Sequence, residues 1–204
     1  MSNGNAQGID VSHYQGTVAW PEVGQAGISF AFAKATDGLT WMDPQFAVNW
    51  PQMKAAGILR GAYHFFEPAD DAAAQAQFFL QTVQLAPGDL PPALDVETAG
   101  SGGTAALWQG VETWLQTVAT ATGVQPFLYL DPAFANEYQA PASLAAYPLW
   151  IADYGVAEPT LPQGWSAWQI WQSSESGTVT GITGPVDLDT LNGPLANLAA
   201  LALA

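Results

Sequence analysis

Asp95 and Glu97 are the residues whose type and spacing most directly suggest chemistry. They stand two apart in Leu94-Asp95-Val96-Glu97, behind the apolar run Pro91-Pro92-Ala93-Leu94. On a strand, residues i and i+2 face the same side, with Cα atoms roughly 6.5–7 Å apart. Carboxyl groups that close do not ionise independently, and one of them holds its proton to higher pH. A neutral carboxylic acid beside a carboxylate is the equipment for cleaving a glycosidic bond. The same spacing also fits a strand end where solvated acids alternate, or a carboxylate site for Mg²⁺ or Ca²⁺.

Two more acids follow short apolar runs: Asp10 in Gly8-Ile9-Asp10-Val11-Ser12, and Asp187 in Val186-Asp187-Leu188-Asp189. Taken singly, each is equally well explained as a cap or turn residue. His64, between Tyr63 and Phe65, reads as a packed, hydrogen-bonded core residue before it reads as a general base.

Stepping these residues onto secondary structure requires strands at regular intervals. Apolar or aromatic runs bounded by Gly, Pro or Asp occur at Gly8–Ser12, Ile28–Ala35, Arg60–Phe66, Ala93–Glu97, Pro126–Leu130, Leu149–Tyr154, Ala167–Gln172 and Val186–Asp189. The clearest helix is Thr104–Thr122, where Leu107, Val111, Trp114, Leu115 and Val118 share one face and Gly123 stands at the C-cap. A second spans Asp70–Leu85, with Asp70 or Asp71 near its start and Phe78, Phe79 and Val83 on its buried side. A third lies within Pro44–Ala56 and should kink or begin at Pro51. The last spans Leu191–Leu203.

Strand–helix alternation predicts an α/β protein with a parallel sheet. Eight strands suffice to close a barrel, and closure would bring the first and last strands, with Asp10 and Asp187, to one mouth. After about residue 145 the strands crowd together, so the last three should join by hairpins or short loops. There is no internal repeat, and Gly100–Gly103 reads as a flexible βα loop. The organisation predicted is a disordered or extended segment over 1–7 and one domain over 8–204.

Composition restricts the partners. Three basic residues (Lys34, Lys54, Arg60) stand against eighteen acidic ones, a formal charge of −15. A phosphate backbone or an anionic membrane binds through clustered Lys and Arg, so both are excluded. A neutral glycan fits better, because nine Trp and six Tyr can offer ring faces to sugars. The absence of cysteine removes disulfides, thiolate nucleophiles and thiolate-held metals, and leaves the redox compartment open. With two histidines as well, no cofactor and no metal are expected. The N-terminus has neither a basic nor an apolar stretch, so no signal peptide is expected, and no run is long enough for a membrane helix.

These motifs, in order, resemble glycoside hydrolase family 25, the 1,4-β-N-acetylmuramidase lysozymes. The resemblance runs from Gly8 to about Leu191. It rests on Gly8-Ile9-Asp10-Val11-Ser12 with Gln15-Gly16, Phe32-Ala33-Lys34-Ala35-Thr36, Gly61-Ala62-Tyr63-His64-Phe65, Leu94-Asp95-Val96-Glu97, Leu149-Trp150-Ile151-Ala152-Asp153-Tyr154, and Trp171-Gln172 with Gly181 and Val186-Asp187-Leu188. A second Trp-Gln pair, Trp168-Gln169, precedes the last; the spacing from Trp171 to Asp187 selects Trp171-Gln172. The resemblance implies a flattened, irregular (β/α)5β3 TIM-like barrel. It also implies Glu97 as general acid, Asp95 as its assistant, Asp10 and Asp187 as the other cleft acids, and Tyr63, Trp150, Tyr154 and Gln172 as residues of the sugar groove. The expected substrate is the peptidoglycan glycan strand, cut by a monomer acting at the cell wall, extracellular or periplasmic. The expected route is retaining, with the substrate's own acetamido group participating. A chitinase-like glycosidase or a non-catalytic glycan-binding barrel are the competing readings. A phage lysin, a secreted enzyme and an injected effector are equally compatible with the chain.

Overall fold

The structure is a computed structural model that describes residues 4–204. Its strands are β1 (Gln7–Val11), β2 (Phe30–Asp37), β3 (Trp41–Met42), β4 (Leu59–Phe65), β5 (Ala93–Asp95), β6 (Phe127–Leu130), β7 (Leu149–Ala152), β8 (Ile170–Gly177) and β9 (Val186–Leu191). Eight of them close a ring in the order β1-β2-β4-β5-β6-β7-β8-β9-β1, with β3 folded back on β2 as a short antiparallel flap. Neighbours are parallel from β1 through β8; β9 runs antiparallel to both β8 and β1. Helices α1 (Trp20–Gln25), α2 (Phe46–Ala55), α3 (Ala72–Thr82), α4 (Thr104–Thr122) and α5 (Pro132–Glu137) fill the first five crossovers, and α6 (Leu195–Ala199) follows β9. The architecture is therefore the irregular (β/α)5β3 barrel, one domain.

Two apolar layers hold it. Between strands and helices lie Ile9, Val11, Ala31, Ala33, Leu94 and Ile151 against Trp20, Met53, Phe79 and the inner face of α4. That face is Leu107, Val111, Trp114, Leu115 and Val118, as the 3.6-residue period requires, with Trp108 added. Gly123 closes α4 in the left-handed conformation, φ 76°, donating to Ala119 O. The second layer plugs the barrel itself: Phe30, Phe32, Phe127, Ile170 and Leu191, with Tyr63, Tyr129 and Trp150 above. Glycines make this plug possible. A Cβ at Gly8 would lie 2.3 Å from the Phe30 ring, and one at Gly61 would lie 2.2 Å from the Phe32 ring.

Several boundaries differ from the sequence expectations. β5 ends at Asp95, because the next N–H, that of Val96, makes the final bond across to Tyr129 O and the chain then leaves the sheet. β8 starts at Ile170 and not at Ala167. The β7–β8 connection is no hairpin: the strands are parallel, and residues 153–169 cross without a helix. α2 begins at Phe46 and carries exposed Pro51 in its interior. Of the predicted final helix, Leu191 remains in β9 opposite Ile170, and Asn192-Gly193-Pro194 delays the helix to Leu195–Ala199. On α3, capped by Asp71, Gln75, Ala76 and Phe79 are buried while Phe78 is half-exposed. Of the expected N-terminal segment, residues 1–3 lie outside the described residues; Ala6 hydrogen-bonds Gly193 O at 3.0 Å, and Gln7 opens β1.

Candidate active site

A cavity of about 320 Å³ opens at the mouth where the parallel strands end. β1 brings Asp10, β4 brings Tyr63, β5 brings Asp95 with Glu97 just past its end, β6 brings Tyr129, β7 brings Trp150, and β8 brings Gln172 and Glu175. Because β9 is antiparallel, its beginning lies at the same mouth, which sets Asp187 directly opposite Asp10 in the ladder. Tyr14 and Tyr154 complete the wall. All eight residues singled out from sequence thus line one hollow. A second hollow of about 610 Å³ continues from it past Glu97, Tyr129, Tyr154 and Glu175. The opposite end of the barrel has a hollow of about 570 Å³ between Pro91, Leu149, Trp165 and Ala200, but it gathers no carboxyl or histidine side chain.

Gln172 is the hub of the floor. Its Nε2 donates to Asp10 Oδ2 at 2.6 Å, and its Oε1 accepts from Tyr129 OH at 2.8 Å and Tyr154 OH at 2.5 Å. Being only 4% exposed, it positions three groups that face the cleft. Trp171 points outward, its Nε1 donating to Asp153 O at 2.8 Å and its ring 6.1 Å from that of Trp168. The alternation of β8 therefore delivers Gln172, and not Trp171, to the interior.

The acids form two groups. Asp95 is buried and its Oδ1 meets no N–H or O–H donor among the described residues, while Glu97 is exposed at the cleft. Burial, then the Glu97 charge, holds the Asp95 carboxyl well above the usual carboxylate range. Partial loss of water at the cleft raises Glu97 as well, with the neighbouring Asp95 carboxyl and the Lys34 ammonium pulling it back. The pair therefore retains a proton to higher pH than ordinary acids, with the buried partner holding it more tightly. The second group is Asp10, Asp187 and Asp189. Burial raises all three; the charges of Asp187 and Asp189 add to the effect at Asp10, and Asp187 is pushed up to about 6. Tyr63 and Tyr129 are raised by burial and stay neutral donors.

Asp189, Tyr129, Glu175 and Tyr14 were missed as site residues. Asp189 is 1% exposed, accepts from Trp150 Nε1 at 2.9 Å, and so anchors a ring of the cleft wall. Tyr129 was legible: Phe127 and Tyr129 alternate into the barrel on β6. Tyr14 and Glu175 carry no local pattern that marks them. His64 is fully buried behind the sheet, between Thr36 Oγ1 (2.7 Å) and Gln75 Oε1 (2.9 Å), and stacks on Trp114. Its pKa falls to about 4 through burial. It is a core residue, away from the cleft. Among the described residues no cluster of three or more His, Asp or Glu side chains is arranged to hold a metal ion.

Comparison with known proteins places this geometry. The model for glycosyl hydrolases family 25 matches residues 9–182, most of the chain, and stops short of β9 with Asp187 and Asp189. Lysozyme M1 of Streptomyces globisporus is 38% identical over 211 residues, covering 96% of this chain and 71% of that protein. The N,O-diacetylmuramidase of a Chalaropsis species is 31% identical over 214 residues, covering 96% and 98%. The crystal structure of a lysozyme from Streptomyces coelicolor superposes with a TM-score of 0.92 at 36% identity, covering 98% of each chain. By family model, by relatives and by fold, the chain belongs to glycosyl hydrolases family 25.

Proposed function

We propose that this protein is a lysozyme that hydrolyses the β-1,4 bond between N-acetylmuramic acid and N-acetylglucosamine in peptidoglycan. The observation that carries the reading is the unequal pair at the end of β5: a buried Asp95 and an exposed Glu97 that share a raised proton affinity in one cleft. The names of the family relatives, lysozyme and N,O-diacetylmuramidase, support the same substrate.

The pair divides the work by exposure. In the free cleft burial favours the proton on Asp95. A sugar bearing a 2-acetamido group brings an amide N–H, and donation of that N–H to Asp95 favours the ionised form. The shared proton then passes to Glu97, which is exposed and can reach the glycosidic oxygen. As Glu97 protonates the leaving oxygen, the acetamide oxygen attacks the anomeric carbon and the C–O bond breaks. Asp95 takes up the charge of the ring so formed. Water then attacks the anomeric carbon from the vacated side, gives its proton to Glu97 and reopens the ring, with net retention. Asp10, held by Gln172, and Asp187 border the sugar and stabilise positive charge at the reacting carbon. The enzyme acts as a monomer, at the cell wall outside the cytoplasmic membrane. No described helix is long and apolar enough to cross a membrane.

The deciding assay is release of reducing ends from purified peptidoglycan and, in parallel, from chitin. Muramic acid at the new reducing ends, with chitin left intact, is the expected result. Cleavage of chitin alone would make the protein a chitinase, and binding without cleavage of either would make it a glycan-binding barrel.

A further inference from the structure

Among the described residues seven large hydrophobic side chains are exposed; besides Tyr154 in the cleft wall, Tyr14 at 83% and Trp41 at 38% lie together at its rim, with Met42 at 52% next to Trp41 in the chain. Tyr14 is itself part of the cavity wall. His13 links it to the flap, with its ring 4.2 Å from that of Tyr14 and 5.1 Å from that of Trp41. The result is an aromatic ledge running from the catalytic cavity onto the β2–β3 flap.

The ledge is built to stay in place. Asp43, 1% exposed, accepts from His13 N at 2.8 Å with the same oxygen that meets His13 Nδ1 at 3.0 Å, while its other oxygen accepts from Gln45 N at 2.8 Å. Its own N–H donates to Ala35 O on β2. The turn carrying Tyr14 is fixed by a capping box: Tyr14 N donates to Ser12 Oγ, and Ser12 N donates to Gln15 Oε1 at 2.8 Å. Under the flap, Lys34 Nζ lies 5.3 Å from the Trp41 ring centre and 4.4 Å from that of Phe65, paired with Asp37 at 2.8 Å. An apolar surface held rigid in water, with buried polar groups committed to holding it, is a surface for binding.

We infer that Tyr14, His13 and Trp41 form a binding platform for the glycan strand where it continues beyond the reacting sugars. This rests on the muramidase reading of the cleft. A hollow of about 320 Å³ is near the small end of ligand sites, so a polymer must leave it across the rim. At this rim the strand meets ring faces that match the apolar faces of sugars and ask for no charge. Continuity with the cleft through Tyr14 selects the substrate's own chain as the occupant. The platform is a determinant of chain length: it adds affinity for long strands and nothing to the bond-breaking step.

The test compares soluble glycan strands, freed of peptide cross-links, with a peptidoglycan tetrasaccharide. For Trp41→Ala, KM on long strands should rise about 3- to 10-fold, the worth of one aromatic contact, with kcat changed less than about twofold. The ratio of kcat/KM between long strand and tetrasaccharide should fall by the same factor. Trp41→Phe should restore most of it, and Val48→Ala, exposed on α2 away from the cleft, should leave it unchanged. An unchanged ratio in Trp41→Ala, with a urea midpoint like that of the parent, would overturn the platform. If the parent cleaves neither substrate, the muramidase reading fails, and the platform is then judged by co-sedimentation with insoluble peptidoglycan. Weaker sedimentation of Trp41→Ala would uphold it, and equal sedimentation would overturn it.

Discussion

Raising the pH above neutrality should loosen this protein, through protons buried in its cleft. Asp187 is pushed up to about 6 from 3.8, and burial also raises Asp10, Asp95 and Asp189 well above the usual carboxylate range. Between unfolded and folded values the native state keeps protons that the unfolded chain has released. The stability these protons confer is complete below about pH 3.8 and is lost as pH rises through the folded values. For Asp187 the full swing is about 3 kcal/mol, cut to about 1–2 kcal/mol by the water it still meets. His64 acts in the opposite sense. Its folded value is lowered to about 4 from 6.5, so its contribution is present above about 6.5 and lost as pH falls toward 4. It masks the acids across that interval. Above about pH 6.5 the mask is gone, and from there to about pH 8.5 each carboxyl still protonated in the native state loses its contribution as it titrates. Urea unfolding followed by tryptophan fluorescence at half-unit steps should show the midpoint falling throughout. Asp189→Asn keeps an acceptor for the Trp150 indole but carries no titrating proton, so its profile should be flatter. A parent midpoint that stays level or rises across this window would refute retention of protons in the cleft.

Glu97→Gln should remain folded and lose about 10²- to 10⁴-fold in kcat, because the amide cannot protonate the leaving oxygen; near-parental turnover in the folded variant would remove Glu97 from the mechanism. The rate should be bell-shaped in pH with its maximum on the acidic side, since the pair must share one proton, and burial shifts its alkaline limb above that of a free glutamate. A rate still climbing at pH 8 would contradict that. Gln172→Leu fills the space but strands the buried Tyr129 hydroxyl and Asp10 carboxyl, each worth about 1–3 kcal/mol. It should lower the urea midpoint accordingly and raise KM; a midpoint within error of the parent would mean the hub is dispensable.

How far the sequence reveals this molecule depends on which force fixes each part. The strands and α4 are legible because burial imposes periodicity, and the inner face of α4 matches its apolar spacing residue for residue. Asp10 and Asp187 meet because β1 and β9 pair, a consequence of ring closure that the strand count already suggests. What stays hidden is set by contacts between distant segments. Nothing local distinguishes Asp189, which is functional in appearance only once Trp150 is seen to donate to it. Gln172 reads as a groove residue, yet its two tyrosines and Asp10 arrive from three other parts of the chain. The missed short helices have weaker causes: α5 carries the Asp131 cap and Pro132 start but runs only to Glu137, too short for a periodic face.

The seam between β1 and β9 also governs how the molecule comes into being. It joins β1 to β9 across all the other strands of the ring, so its loop-closure entropy is large. On a ribosome, Asp10 emerges well before Asp187, Asp189 and the β8–β9 hairpin and waits for them before any cleft exists. Each nascent chain is therefore inert until its last strand docks, and the appearance of enzyme during refolding should coincide with the slowest, closure-limited phase and not with the earlier gain of helix.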